Sequence, residues 1–208
     1  MADELVFYTN PMSRGRIARW MLEEVGAPYT TEVLDYATSM KDPAYLAINP
    51  MGKVPAIRHR GTVVTEGAAI CAYLADAFPD AGLAPPPAER GDYYRWLFFA
   101  AGPVEAAVTE RARGIEVSPE QGRIVGYGSY DRVVAVLEQT LSGRDYVAGD
   151  RFSAADVYFG SQLIWGTQFG TLPQRDAFGP YVARLMARPA YLRAAEMDDA
   201  LIAQAAAG

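Results

Sequence analysis

The sequence predicts an α/β domain in the first part of the chain, followed by an all-helical domain. Over residues 1–80, short β-rich runs alternate with helical patterns, which is typical of βα units. From residue 90 to residue 208, apolar residues recur at helical spacing. Between the two stretches, Pro85-Pro86-Pro87 stiffens a short linker. We therefore expect two domains, residues 1–80 and residues 90–208.

In the first domain, each predicted strand is a short apolar or β-branched run, and each longer helix has an apolar face. The run Leu5-Val6-Phe7-Tyr8 comes first, and Gly26 ends the helix that follows it. Arg60-Gly61 supplies a hairpin turn, because glycine tolerates a positive φ. Strands are predicted at 5–8, 29–35, 54–58 and 62–65, and helices at 14–25, 42–48 and 67–78. Since βαβ crossovers are right-handed, few topologies remain, and this order resembles a thioredoxin-like domain.

In the second domain, only helical patterns occur. A helix over 89–113 contains Gly102-Pro103, where we expect a kink because proline removes a backbone donor. Ser118-Pro119 begins a second predicted helix, which runs to about residue 141. Ser153-Ala154-Ala155-Asp156 predicts an N-cap for a largely apolar, buried helix ending near residue 169. Two shorter helices are predicted within 179–204, separated at Arg188-Pro189.

The composition argues against several kinds of function. A net charge of −6 is unfavourable for a nucleic-acid surface, which needs clustered Lys and Arg. Cys71 is the only cysteine, which excludes an internal disulfide, and its apolar helical surroundings predict a small buried residue. His59 is the only histidine, so a His/Cys zinc site is excluded, and we expect His59 to be exposed and inert. The sequence shows neither a signal peptide nor a membrane helix, which predicts a cytoplasmic protein.

One stretch carries a specific pattern. Asn49-Pro50-Met51-Gly52-Lys53-Val54-Pro55 leads into a strand, and Thr65-Glu66-Gly67-Ala68-Ala69-Ile70 opens a helix after the next strand. This combination resembles the glutathione-binding half of a glutathione S-transferase, and Ser153–Asp156 resembles a motif of the family's helical domain. With Ser13 in the first loop, the chain resembles bacterial, Ser-type, theta-like members. The resemblance implies the two-domain glutathione S-transferase fold.

The residue that activates the thiol of glutathione has three candidates. Ser13 lies where a strand-loop-helix turn ends, and from position alone it is a helix cap. The resemblance gives Ser13 a second role, in which its hydroxyl hydrogen-bonds the glutathione sulfur. Tyr8 lies where Tyr-type members carry a catalytic phenol, although a tyrosine in this strand is equally expected to pack in the domain. Asn10 is the third candidate, because its amide is able to donate to a thiolate.

The same resemblance assigns the groups that hold glutathione. Val54 pairs with its cysteinyl backbone as a strand would, and Pro55, whose peptide bond we expect to be cis or at a sheet edge, shapes Val54. Lys53 reaches the glycyl carboxylate, unless it is a solvated loop residue. Glu66 meets the γ-glutamyl ammonium, or is simply an acid in a first helical turn. Gly67 contributes a helix N-terminus for the γ-glutamyl carboxylate, and it replaces the Ser or Thr more common in the family.

The implied activity is that of a detoxification enzyme, a homodimer that joins the glutathione thiolate to small hydrophobic electrophiles. Glutathione is then a co-substrate and no metal takes part. Two other functions are compatible with the same residues. One is a non-catalytic binding protein that retains the fold, since a fold does not fix a function. The other is an enzyme that uses glutathione as a cofactor, in peroxide reduction, dehalogenation or isomerisation.

Overall fold

The computed structural model describes residues 4–207, which form two compact units. The first unit contains residues 4–83 together with 187–207, and the second contains residues 84–186. The α/β and all-helical parts predicted from the sequence are both present. The last helix is part of the first unit, a placement that the helical pattern gave no reason to expect.

The first unit is built on a four-stranded mixed sheet with the order β2-β1-β3-β4. Strand β1 pairs in parallel with β2 and antiparallel with β3, and β3 pairs antiparallel with β4. Its strands are β1 (Leu5–Thr9), β2 (Thr30–Val33), β3 (Ala56–His59) and β4 (Thr62–Thr65). Its helices are α1 (Gly15–Val25), α2 (Pro43–Leu46), α3 (Gly67–Ala77) and the last helix of the chain, α9 (Pro189–Ala207).

Side chains alternate between the two faces of this sheet, as expected for β-strands. Phe7 lies on one face, where the Arg19 guanidinium of α1 is 5.1 Å from the centre of its ring. Tyr8 lies on the opposite face, in a buried cluster with Val6, Met40, Tyr45 and Ala56. Helices α1 and α3 contact each other, whereas Tyr45 of α2 packs against Tyr8.

Helix α9 is attached to α1 by charges as well as by apolar contacts. Arg19 Nε lies 2.8 Å from Asp198 Oδ1, and each side chain is only 1% exposed. Arg188 donates to both carboxylate oxygens of Glu24, at 2.6 and 2.8 Å. The buried ion pair requires both partners, because either charge alone would be left in a low-dielectric interior.

The second unit consists of helices α4 (Gly91–Phe99), α5 (Glu105–Ala112), α6 (Tyr130–Leu141), α7 (Ala154–Gln168) and α8 (Phe178–Met186). At Gly102-Pro103, where a kink was predicted, a π-helical segment, Ala100–Val104, separates α4 from α5. The helix predicted over 118–141 is wrong in its first half, because α6 begins only at Tyr130. Residues 118–128 instead form turns around a short 3-10 helix, Gln121–Arg123. Gly128 has φ 73°, and a side chain at Gly122 would lie 2.7 Å from the Gly128 carbonyl oxygen.

The N-cap predicted before α7 is confirmed as a capping box between Ser153 and Asp156. The buried Asp156 carboxylate accepts from the Ser153 N–H at 2.9 Å and from the Val147 N–H at 2.8 Å. It also accepts from the Tyr181 hydroxyl of α8 at 2.8 Å. One carboxylate therefore joins a helix start, the preceding loop and a neighbouring helix.

We predict that Asp156→Asn lowers the free energy of unfolding by about 3 kcal/mol, because the amide nitrogen faces donors that then lack an acceptor. Urea denaturation measures this change. Asp150→Asn, at an exposed position in the same loop, is the matched control and should change stability by less than about 0.5 kcal/mol. Equal stabilities of the two variants would contradict the role given to Asp156.

Candidate functional site

Three loops of the first unit meet at one end of the sheet. The strand register places Tyr8 opposite Ala56, and Ala56 opposite Thr65. The residues that follow Tyr8, precede Ala56 and follow Thr65 therefore leave the sheet at the same edge. These segments, 10–14, 49–55 and 66–67, contain all but one of the predicted site residues. The remaining candidate, Tyr8, lies within β1 and is aligned with Ala56 and Thr65 across the sheet.

Ser13 lies in the turn that leads into α1, and its hydroxyl is already hydrogen-bonded. Ser13 Oγ donates to the Asn10 carbonyl at 2.6 Å and accepts from the Gly15 N–H at 2.9 Å. The turn is tight at Gly15, where a Cβ would lie 2.0 Å from Thr9 Oγ1. The hydroxyl is half-buried at the positive end of α1, so it is accessible to a bound anion.

The other two candidate donors have different surroundings. The Asn10 amide nitrogen donates to the Leu34 carbonyl at 2.8 Å, and its oxygen accepts from the Met12 N–H at 2.9 Å. Tyr8 is buried, with its ring 5.7 Å from that of Tyr45. Both side chains therefore have clear structural roles within the first unit.

Val54 presents backbone groups rather than side-chain chemistry. Within residues 4–207, its N–H and C=O form no hydrogen bond, and the following peptide bond, Val54–Pro55, is cis. The preceding carbonyl, that of Lys53, accepts from the Tyr45 hydroxyl at 2.6 Å and from Asn49 Nδ2 at 2.8 Å. Strand β3 begins at Ala56, so Val54 lies just beyond the β1–β3 ladder.

Glu66 has an unusual backbone conformation immediately before α3. Its φ of 65° and ψ of 117° are rarely adopted by residues other than glycine. Its carbonyl accepts from the Ile70 N–H at 2.9 Å, whereas the first N–H groups of α3, from Gly67 onward, have no intrahelical partner. The Glu66 and Lys53 side chains are both exposed. A strained residue at a helix N-terminus is consistent with a binding site.

Sequence reasoning missed the side chains that support this site. Tyr45 was part of a predicted helical turn and Asn49 part of a turn motif, but neither pattern shows that both side chains bond to the Lys53 carbonyl. Lys41 was also missed, and its ammonium donates to the Gly52 carbonyl at 2.9 Å. The Asn49-Pro50 motif was the only available signal, since an asparagine in such a turn commonly bonds to nearby backbone.

The expectation that His59 is exposed is wrong, because its side chain is 1% exposed. Its position in β3 places it on the same face as Ile57, the face covered by helices. There Nδ1 lies 3.0 Å from the Tyr73 hydroxyl, and the ring stacks on Phe78. Cys71 is buried as predicted, and burial raises the pKa of its thiol.

Residues 4–207 contain no group of three or more His, Cys, Asp and Glu side chains that could hold a metal ion. Over the same range, no helix has the length and apolar character needed to cross a membrane. The site instead combines a hydroxyl at one helix start, N–H groups at another, free backbone groups at Val54 and side chains of both charges. Such a set is suited to an extended, peptide-like ligand that carries an ammonium, carboxylates and a polar reactive group.

Comparisons with known proteins point to one family. The family model described as glutathione S-transferase, N-terminal domain, matches residues 12–77, and the model of the C-terminal domain matches residues 128–189. Glutathione S-transferase GST-4.5 of Xanthomonas campestris pv. campestris is 31% identical, over 82% of this chain and 89% of its own. Glutathione S-transferase GstA of Escherichia coli O157:H7 is 29% identical, over 88% and 90%. The structure of a sphingomonad glutathione S-transferase complexed with glutathione is similar, with a TM-score of 0.77, 29% identity and coverage of 93% and 98%.

The strain at Glu66 generates a prediction about stability. Glu66→Gly should raise the free energy of unfolding by about 1 kcal/mol, because relief of the positive φ exceeds the added entropy cost of glycine. Denaturant unfolding measures the change. Thr65→Gly, in β4 next to it, is the control and should destabilise by about 1 kcal/mol. Loss of stability in both variants would show that the Glu66 backbone stores no strain.

Proposed function

Because the chain belongs to the glutathione S-transferase family, we propose that it joins the thiolate of glutathione to small apolar electrophiles, with Ser13 as the activating residue. The observation that carries the proposal is the placement of the Ser13 hydroxyl at the start of α1, half-buried and at the same sheet edge as Val54 and Glu66. This placement supports the proposed assignment to the Ser-type, theta-like members. A hydroxyl there is able to leave the Asn10 carbonyl and donate to a bound sulfur.

The energetic requirement is modest. A free thiol has a pKa of about 8.5, and lowering it to about 6.5 takes about 2.7 kcal/mol of preference for the thiolate. A hydrogen bond to a charged group contributes about 1.5–3 kcal/mol. The positive end of α1 adds about 0.3–1 kcal/mol. One hydroxyl and one helix end therefore suffice without a general base, and binding supplies the proximity to the electrophile.

Tyr8 and Asn10 are the alternatives to Ser13, and their contacts make them less favourable. Tyr8 is buried in the apolar cluster on the α2 face of the sheet. Asn10 uses its amide to hold the Leu34 carbonyl and the Met12 N–H. Recruiting either side chain to a sulfur would disrupt packing or a turn. Ser13 needs only a rotation of its hydroxyl hydrogen about the Cβ–Oγ bond, which leaves the bond from the Gly15 N–H intact.

Glutathione is proposed to lie along the edge formed by the three loops. The Val54 N–H and C=O pair with its cysteinyl backbone, and Pro55 shapes this segment. Lys53, the residue before Val54, has an exposed side chain that meets the glycyl carboxylate. The Glu66 carboxylate meets the γ-glutamyl ammonium, and the N–H of Gly67 begins a helix N-terminus for the γ-glutamyl carboxylate. All of these groups belong to residues 1–80, the proposed glutathione-binding domain.

The proposal also covers the domain boundaries, the cellular location, the biological role and the cofactor. We propose residues 90–208 as the helical domain in sequence order, with its last helix, α9, packed in the first unit. We assign the protein to the cytoplasm and to detoxification, and its single cysteine, which forms no disulfide, is compatible with a reducing compartment. Glutathione is a co-substrate, and the proposed chemistry employs no metal.

The activating role of Ser13 is tested by Ser13→Ala. Calorimetry should show glutathione binding to both wild type and variant, while ultraviolet titration of the bound thiolate shows a lowered pKa only in wild type. Turnover at about pH 6.5 should fall about fiftyfold, because the thiolate fraction falls by that factor between pKa values of about 6.5 and 8.5. Ser39→Ala, at a serine that accepts from the Asp35 N–H in another turn, is the control.

An equally lowered pKa in Ser13→Ala would transfer the role to Tyr8 or Asn10. Failure of the wild type to bind glutathione would overturn the proposed function and favour a retained fold with another partner.

A homodimer is also part of the proposal. On α4, Tyr94 and Phe98 lie one turn apart with exposed fractions of 43% and 71%, an unusual apolar surface for a monomer. Asp92, which is half-buried, and Arg95, which is exposed, flank these rings with opposite charges and lie 3.7 Å apart within the helix. A twofold axis through this face would bury the aromatic rings against their copies and bring Asp92 of each copy towards Arg95 of the other.

We predict that Phe98→Lys converts the dimer to a monomer, because a charge at the centre of a buried apolar contact has no partner. Sedimentation equilibrium measures the mass. Phe169→Lys replaces an equally exposed phenylalanine, also 71% exposed, at the end of α7 and should leave the mass unchanged. A wild type that sediments as a monomer, or a Phe98→Lys variant that remains dimeric, would contradict this interface.

A further inference from the structure

The chain contains the sequence Asn-Pro-Met twice, at residues 10–12 and 49–51, and both copies fold into the same turn. In each, the asparagine Oδ1 accepts from the methionine N–H, at 2.9 Å in the first turn and 3.1 Å in the second. In each, the asparagine carbonyl accepts from the N–H three residues on, at 3.1 and 2.8 Å. Both asparagine side chains are buried. Two of the three loops of the proposed glutathione site therefore contain the same turn.

The two turns differ in what they hold. In the first turn, the Asn10 amide nitrogen donates to the Leu34 carbonyl at 2.8 Å, which fixes the loop to the end of β2. The Asn10 carbonyl then accepts from the Ser13 hydroxyl at 2.6 Å. When the hydroxyl donates to a bound sulfur, it leaves this carbonyl, while Oγ still accepts from the Gly15 N–H. Asn10 therefore acts through its side chain, whose bond to the Leu34 carbonyl fixes the loop that places Ser13 at the start of α1.

In the second turn, the Asn49 amide nitrogen donates to the Lys53 carbonyl, which also accepts from the Tyr45 hydroxyl. The Lys53 carbonyl and the Val54 N–H belong to one planar trans peptide group and point in opposite directions. Two donors on the carbonyl therefore fix the direction of the Val54 N–H. Burial raises the pKa of Tyr45 to about 12, so its hydroxyl remains a donor over the working pH range.

We propose that the two turns control separate properties of the site. Asn10 is a positioning residue for Ser13 and controls the acidity of the bound thiol. Asn49 and Tyr45 are positioning residues for Val54 and control the affinity for the glutathione backbone. This inference rests on the proposed function and adds three residues to it, none of which touches the reacting atoms.

The test uses two ligands that report the two properties separately. S-Methylglutathione has no thiol proton, so its dissociation constant measures backbone recognition alone. Glutathione itself gives the pKa of the bound thiol by ultraviolet titration. The matched variants are Asn10→Ser and Asn49→Ser, because serine keeps an acceptor for the N–H two residues on but is too short to reach the distant carbonyl. Tyr45→Phe removes only a hydroxyl.

We expect Asn49→Ser and Tyr45→Phe to bind S-methylglutathione about fivefold more weakly, the effect of losing one net hydrogen bond, with the thiol pKa unchanged. Asn10→Ser should retain the affinity for S-methylglutathione and raise the bound thiol pKa by about one unit. Tyr130→Phe is the control, since the Tyr130 hydroxyl also donates to a carbonyl, that of Thr171, at 2.7 Å. It should change neither property.

Three outcomes would overturn the inference. They are wild-type affinity in both Asn49→Ser and Tyr45→Phe, an unchanged thiol pKa in Asn10→Ser, and parallel changes of both properties in every variant. Thermal unfolding identifies variants that fail to fold, and the conservative Tyr45→Phe then remains informative for the second turn. A wild type that binds neither ligand contradicts the proposed function itself. This outcome differs from one in which glutathione binds but the two turns do not control separate properties.

Discussion

The pairing of three strands at one row of the sheet is the constraint on which the site depends. Tyr8, Ala56 and Thr65 lie side by side in β1, β3 and β4. The three loops therefore leave the sheet together, although Tyr8 and Ala56 are 48 positions apart in the sequence. A shift of one residue in either pairing would reverse the faces of the strand and move one loop away from the others. The apolar cluster around Tyr8 opposes such a shift, because the same register that aligns the loops also buries Val6, Tyr8 and Ala56.

The strand register alone does not fix the position of α1, the helix that follows the turn containing Ser13. Arg19 in the middle of α1 is buried over the Phe7 ring and neutralised by Asp198 of α9. Glu24 near the end of the same helix is held by Arg188. The last helix of the chain thus stabilises the first, and a residue more than 180 positions from Ser13 helps to fix the helix that follows it.

Local chemistry explains which parts of this arrangement were predictable. Ser13, Val54 and Glu66 lie in turns or at a helix start, features that nearby residues determine, and the sequence identified the segments that contain them. The contacts of Tyr45 and Lys41 depend on how the chain folds back, and no local pattern encodes them. His59 was misjudged because a turn beside it suggested exposure, whereas its place in β3 directs it under α3. The helix expected from Ser118 fails for a different reason. Gly128 has a positive φ, and the segment folds back so closely that a side chain at Gly122 would meet the Gly128 carbonyl.

The proposed recognition of glutathione relies largely on backbone groups, so the residues that orient the backbone matter more than the side chain at the point of contact. The Val54 N–H and C=O would be the same with another residue at position 54, so the side chain there carries little of the chemistry. Direction and rigidity come instead from Tyr45 and Asn49, which hold the Lys53 carbonyl, and from Glu66, whose positive φ sets the start of α3. Buried polar side chains cost free energy unless they are hydrogen-bonded, and those of Asn10, Asn49 and Tyr45 all are. Their bonds go to backbone atoms, at Lys53 within the second loop and at Leu34 after β2, so the free energy they contribute also makes the loops rigid before a ligand arrives. A site arranged in this way gives up less conformational entropy on binding, and more of the contact energy is then available as affinity.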